Sequence, residues 1–175
     1  MTDAFNAIVP VVALAIGSLA CVTDVRSRRI PNLLTFGAAA AGMAVHGVIG
    51  GMNGLQTSCL GWLAGTALFL PFFLLGGMGG GDVKLLGALG AWLGPRDAFW
   101  LAIYSSLAGG GIAVVVAVTH GYLRIAFRNL GTLLRYWWLA GPRPLPAVSL
   151  EHSEGPRLAY AIPIFIGTVV TVWLR

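Results

Sequence analysis

Apolar segments of membrane-spanning or nearly membrane-spanning length follow one another along this chain, and they leave little choice of fold. Six are evident, at 5–23, 33–49, 55–75, 83–93, 98–119 and 158–174. A helix needs about 20 apolar residues to cross the hydrocarbon of a bilayer. Inside hydrocarbon every backbone N–H and C=O must find a partner within the protein, so such segments become helices. Charged residues make up only 10% of the chain, against roughly 25% in a soluble domain. The expectation is one all-α integral membrane domain over 1–175, polytopic, with about six transmembrane helices. Segment 33–49 opens after Pro31, a residue suited to a helix start. The N-terminus lacks a basic region, and no small-residue cleavage box surrounds Cys21, so the first segment reads as a retained helix rather than a signal peptide.

Segment 83–93 is too short to cross alone. About eleven residues at 1.5 Å each give roughly 17 Å, against roughly 30 Å of hydrocarbon. Its ends are therefore recessed within the protein, or the bilayer is thinned around it. A recessed Asp82 end would place that aspartate below the membrane surface, in a protein-lined cavity.

Basic residues orient the segments. Arg26, Arg28, Arg29, Lys84, Arg124, Arg128, Arg135, Arg143 and Arg157 all fall on one face, and only Arg96 and Arg175 on the other. Positive residues mark the cytosolic side, so the loops at 24–32, 76–82 and 120–157 are expected in the cytosol and both termini outside. The net charge of +5 sits beside apolar segments and forms no separate basic domain, which argues against nucleic acid as a partner. Within the long loop, Arg124, Arg128 and Arg135 fall within about 40° on a helical wheel. Leu123, Phe127, Leu130 and Leu134 form a stripe beside them, and Trp137 and Trp138 follow. This pattern predicts an interfacial amphipathic helix over 121–139, lying on the lipid bilayer. Residues 141–157 read as an exposed loop.

Two of the six acidic residues stand out. Asp24 ends the first apolar segment, where a helix C-terminus disfavours an anion by roughly 0.3–1 kcal/mol. A local ion pair with Arg26, Arg28 or Arg29 is its structural alternative. Asp82 closes the run Gly76-Gly77-Met78-Gly79-Gly80-Gly81 and precedes Val83-Lys84. A helix N-cap is its structural alternative. Glycines 79, 80 and 81 cost conformational entropy and let another backbone approach closely, which is more than a cap requires. Lys84 either snorkels to the interface or tunes Asp82. Acids at the edge of hydrocarbon are functional candidates by default. Two carboxylates sharing a site cannot both ionise easily. The ionised one can take a proton from water while the protonated one polarises a peptide carbonyl, which is the chemistry of an aspartic protease. Cys21 and Cys59 show no CxxC spacing, and His46, His120 and His152 show no metal-ligand spacing, so neither metal nor cofactor is expected.

Asp24 with Pro31-Asn32 forms a D-x6-P-N pattern, and Gly79-Gly80-Gly81-Asp82-Val83-Lys84 fits G-x-G-D-x-K. In this order the two motifs resemble those of the prepilin peptidases, or type IV leader peptidases, of bacteria and archaea. Tyr160-Ala161-Ile162-Pro163 is similar to the family's closing segment. The resemblance implies a GxGD-type aspartic endopeptidase of the cytoplasmic (inner) membrane, with Asp24 and Asp82 as its catalytic pair. Gly79, Gly80 and Gly81 would give the substrate backbone access, with Lys84, Pro31 and Asn32 in support. The implied substrate is a prepilin or pilin-like protein with a basic leader and an apolar helix, cut on the cytosolic side. Larger family members carry a cytosolic extension with paired CxxC motifs and methylate the new N-terminus. Neither feature is present, so methyl transfer is expected to be absent. The short form looks most like the peptidases of tight-adherence (Flp-type) pilus systems, with archaeal preflagellin peptidases next. Two alternatives remain open at this point: a presenilin-like intramembrane protease, which shares GxGD, and a small proton-coupled transporter or channel subunit using buried acids.

Overall fold

The computed structural model describes residues 2–121, 123–141 and 159–175, and within these the chain is helical with no strand. The helices are α1 (Thr2–Ser27), α2 (Asn32–Leu74), α3 (Gly80–Leu93), α4 (Pro95–Thr119), α5 (Leu123–Ala140) and α6 (Ala161–Trp173). α1, α2 and α4 each hold a stretch long and apolar enough to cross a membrane, and α6 is a shorter apolar helix. His152, Arg143, Arg157 and residues 142–157 of the loop read at 141–157 lie outside the described residues.

α2 is two arms, not one rod. Pro31 caps it in an extended conformation, and its carbonyl accepts the amides of Leu34 and Thr35. At Gly51 the backbone leaves the helix with φ 58° and ψ −144°, a left-handed conformation that glycine adopts without steric cost. The arms 32–50 and 52–74 then fold back on each other. Gly54 lies against the carbonyl of His46, and a Cβ on Gly47 would stand 3.8 Å from that of Leu55. These arms coincide with the separate apolar segments read at 33–49 and 55–75.

α3 lies against both arms and is the most buried element. Leu85, Leu86, Ala88, Leu89 and Ala91 are fully inaccessible. Along the second arm the contact is backbone to backbone. Gly61 packs on the carbonyl of Gly90 and Gly90 on that of Gly61, while Gly65 meets the carbonyl of Leu86. Small residues four apart are what let helices approach this closely in a membrane.

The far end of α3 is also enclosed. The last carbonyls of a helix have no partner within it, and in hydrocarbon no water is present to serve them. The α2 hairpin supplies partners instead. Ser58 donates its hydroxyl to the Ala91 carbonyl at 2.7 Å. His46 Nε2 faces the Trp92 carbonyl at 3.0 Å, and since a carbonyl only accepts, that nitrogen is the donor. The Trp92 indole in turn donates to the Ala38 carbonyl at 2.8 Å. The Leu93–Gly94 end of this short helix is therefore recessed inside the hairpin.

α4 and α6 pack closely, with Gly167 against the Ser105 backbone and an Arg175–Asp97 ion pair at 3.0 Å. α1 meets α6 where a Cβ on Gly17 would come 3.0 Å from Phe165. α5 follows α4 and covers the segment read as amphipathic. Its stripe of Phe127, Leu130, Leu134 and Trp138 is exposed.

Two glycine substitutions should move stability in opposite directions. Gly61→Ala drives a methyl into the Gly90 carbonyl and should destabilise by about 1–3 kcal/mol. Gly37→Ala adds its methyl where nothing lies within 4 Å and should stabilise by about 0.5–1 kcal/mol. Unfolding of the detergent-solubilised protein measures both.

Candidate active site

α1 carries Asp24 to its last turn and stops soon after. Ser27 donates its hydroxyl to the Thr23 carbonyl at 2.7 Å. Arg28 takes a left-handed conformation (φ 53°) and its amide donates to the Asp24 carbonyl at 2.8 Å. The chain then turns through Ile30 into Pro31 and α2. The Asp24 side chain points inward and is 8% exposed. Its Oδ2 accepts the backbone N–H of Ala161 at 3.3 Å, from the first residue of α6.

Asp82 lies in the first turn of α3 and is also 8% exposed. It is not the N-cap that its position before segment 83–93 suggested. The helix begins earlier because Gly79, in an extended conformation (φ −76°, ψ 144°), takes the cap position with no side-chain bond. Its carbonyl accepts the Asp82 amide at 3.2 Å. The Asp82 carboxyl lies against the backbone of this cap residue, where a Cβ on Gly79 would crowd its Oδ2 at 3.0 Å.

The two motifs meet. The Ile30 side chain packs on Gly81, where a Cβ would stand 3.4 Å away. Lys84 Nζ donates to Asn32 Oδ1 at 3.0 Å and sits 5.4 Å from the centre of the Phe36 ring. Lys84 thus bonds Asn32 rather than Asp82, and with Pro31 at the cap of α2 these residues fasten the two acidic loops together. The Asp24 carboxylate acts electrostatically on Asp82, so the buried acids occupy one field.

The start of α6 completes the surroundings, and only a faint sequence signal pointed there. Tyr160 caps that helix. Its ring stands edge-on to Phe69 with centroids 6.0 Å apart. Phe69 and Ser106 also line an apolar cavity of about 330 Å³ between the second arm of α2 and α4, with Phe72, Phe99 and Leu107 at its exposed rim. Nothing in the spacing of Ser106 or Phe69 marks them. The remaining titratable candidates serve structure: His46 holds the end of α3, and His120 Nδ1 bonds the Val116 carbonyl at 3.0 Å. Cys21 and Cys59 are free thiols. Among the described residues no group of three His, Cys, Asp or Glu side chains is close enough to hold a metal ion.

The model of the type IV leader peptidase family matches residues 11–114, a stretch holding both aspartates. The chain is 37% identical over 105 residues to a prepilin leader peptidase/N-methyltransferase of Neisseria gonorrhoeae, covering 56% of this chain and 36% of that protein. A protein of the same description from Aeromonas hydrophila is 35% identical over 106 residues, covering 55% and 36%. One from Burkholderia pseudomallei is 33% identical over 108 residues, covering 58% and 34%. The matched part of the chain thus spans about a third of the length of these relatives. No solved structure shows a significant match. With more than half of its residues inside the family match, the chain belongs to the type IV leader peptidase family.

Proposed function

We propose that this chain is a membrane-embedded aspartic endopeptidase that removes the leader of type IV prepilins or pilin-like proteins. The observation that carries the proposal is the pair itself. Two buried carboxylates from distant parts of the sequence, Asp24 and Asp82, lie in one electrostatic field at the loop ends of their helices. Burial and mutual repulsion oppose ionising both, so the pair works with one proton shared between them.

The ionised carboxylate takes a proton from a water molecule. The resulting hydroxide adds to the scissile carbonyl carbon, and the protonated carboxyl gives its proton to the carbonyl oxygen. When the tetrahedral intermediate collapses, the C–N bond breaks and the leaving amine collects a proton from the pair. No cofactor takes part. The exposed Gly79 and half-buried Gly80 and Gly81 leave room for a substrate backbone beside Asp82. The proposal concerns peptide cleavage alone, not the methyl transfer in the relatives' names.

In the bilayer, α1, both arms of α2, α3, α4 and α6 are the six membrane segments, with α3 sheltered by the hairpin. Positive residues beside the acidic loops put that face in the cytosol of the inner membrane and both termini outside. α5, with three arginines, no acid and an exposed apolar stripe, lies on the cytosolic surface of the bilayer.

Co-expression with an epitope-tagged prepilin tests the reaction. Asp24→Asn and Asp82→Asn should each lower cleavage by at least about 10²-fold while the variants still insert and fold. Normal processing by both stable variants would defeat the proposal. In purified form the rate should be bell-shaped in pH, falling in acid as both carboxyls become protonated and in alkali as both ionise. A rate flat across that range would contradict a shared proton. Gly79→Ala, which presses on Asp82 Oδ2, should cost roughly tenfold in kcat, read in the same assay.

A further inference from the structure

We infer that the apolar cavity between the second arm of α2 and α4 is the groove that receives the apolar segment of the substrate, presented from the bilayer as a helix. The inference rests on the peptidase reading above and deepens it. The cavity measures about 330 Å³, and Ser106 is its one lining residue with a polar side chain. That hydroxyl is already spent on the Ala102 carbonyl at 2.8 Å, so the lining offers nothing to a polar ligand. The rim residues Phe72, Phe99 and Leu107 are exposed. Both walls belong to helices with a stretch long and apolar enough to cross a membrane, so the groove opens sideways onto hydrocarbon.

Its height in the membrane matches that of the aspartates. α3 and the second arm of α2 run antiparallel, with Gly90 on Gly61 and Leu86 on Gly65. The same register, one turn further along each helix, brings Asp82 level with Phe69 in the groove wall. The rim residue Phe72 is followed by Phe73, whose ring would stand 3.2 Å from a Cβ on Gly80. On the other side, Gly109 of α4 lies against Tyr160, whose ring meets Phe69 with centroids 6.0 Å apart. The next residue, Ala161, gives its amide to Asp24 Oδ2 at 3.3 Å. Contacts thus run from the groove wall to Asp24 and to the glycines before Asp82. A polypeptide that reaches the groove from hydrocarbon must satisfy its backbone internally and so arrives as a helix. One helical turn, about 10 Å across and about 5.4 Å high, is larger than the cavity. The helix therefore lies along the opening and sets a few large side chains into it, while its end at the membrane surface extends toward the acids. The lining alone would also suit a lipid acyl chain. The placement beside the acids favours the segment joined to the bond they cut.

Cross-linking and kinetics test this on the purified full-length protein in phosphatidylethanolamine/phosphatidylglycerol vesicles with a tagged prepilin. Leu107→Cys, made with Cys21→Ser and Cys59→Ser and labelled with a benzophenone maleimide, puts a photoprobe on the rim. Val48→Cys, exposed near the far end of the α2 hairpin, is the reference. Illumination should join position 107 to the apolar segment of the prepilin, with at least about fivefold less adduct from position 48. Adducts from 107 only with phospholipid or a second copy of the enzyme, or prepilin adducts equal at the two positions, overturn the inference. Ala102→Phe fills the groove from its floor and should raise KM about tenfold with kcat within about twofold of the parent. A parental KM in folded Ala102→Phe overturns it as well, and if that variant does not fold the cross-link decides. In each overturning outcome, prepilin cleavage that is lost in Asp24→Asn and Asp82→Asn leaves the peptidase reading standing. Cleavage retained in both aspartate variants would overturn both.

Discussion

The enclosure of α3 is the constraint on which the rest of this structure depends. A helix of 14 residues, about 21 Å long, is buried from Leu85 to Gly94 in a chain built for hydrocarbon. Such a helix exists only if its end groups find partners in protein. The α2 hairpin meets that need with Ser58 and His46 on the last carbonyls, and glycines let the backbones touch along its length. Once α3 is fixed at its far end, the position of its first turn follows, and with it the position of Asp82.

Asp24 reaches the same place by a different route. α1 closes its last turn on Arg28, the chain bends there, and Ile30 lands on Gly81. Asn32 and Lys84 then bond across the two loops. The residues that flank the acids in each motif are therefore the ones that join the motifs to each other. They act as a clasp, which explains why a proline, an asparagine and a lysine accompany the acids without touching their carboxyls. α6 adds the last restraint, with the Ala161 amide on Asp24.

Much of this was legible in the residues. Apolar run lengths gave the helices, the gap between segments 33–49 and 55–75 separated the arms of α2, and the arginine and leucine stripes located α5. The motifs named Asp24 and Asp82. What the sequence does not display is contact between distant helices. Ser58 and His46 look like stray polar residues on an apolar segment until the carbonyls of α3 end against them. Ser106 lies among small residues of α4 with no pattern to mark it, and Tyr160 showed only as part of a short closing segment. The N-cap reading of Asp82 failed for a local reason: the helix starts at Gly80 with Gly79 at its cap, which puts Asp82 inside the first turn.

The central claim is that Asp24 and Asp82 share one site, and proximity is most directly measured by cross-linking. In a protein with Cys21→Ser and Cys59→Ser, a double variant with cysteine in place of both aspartates would be treated with a short bifunctional thiol reagent and analysed by peptide mass spectrometry. The variant with Ile30→Cys and Gly81→Cys, whose contact is direct, serves as the reference. The structure predicts an intramolecular 24–82 cross-link in yield comparable to the reference. Single modification of each cysteine, with the reference pair cross-linked in the same membranes, would contradict it.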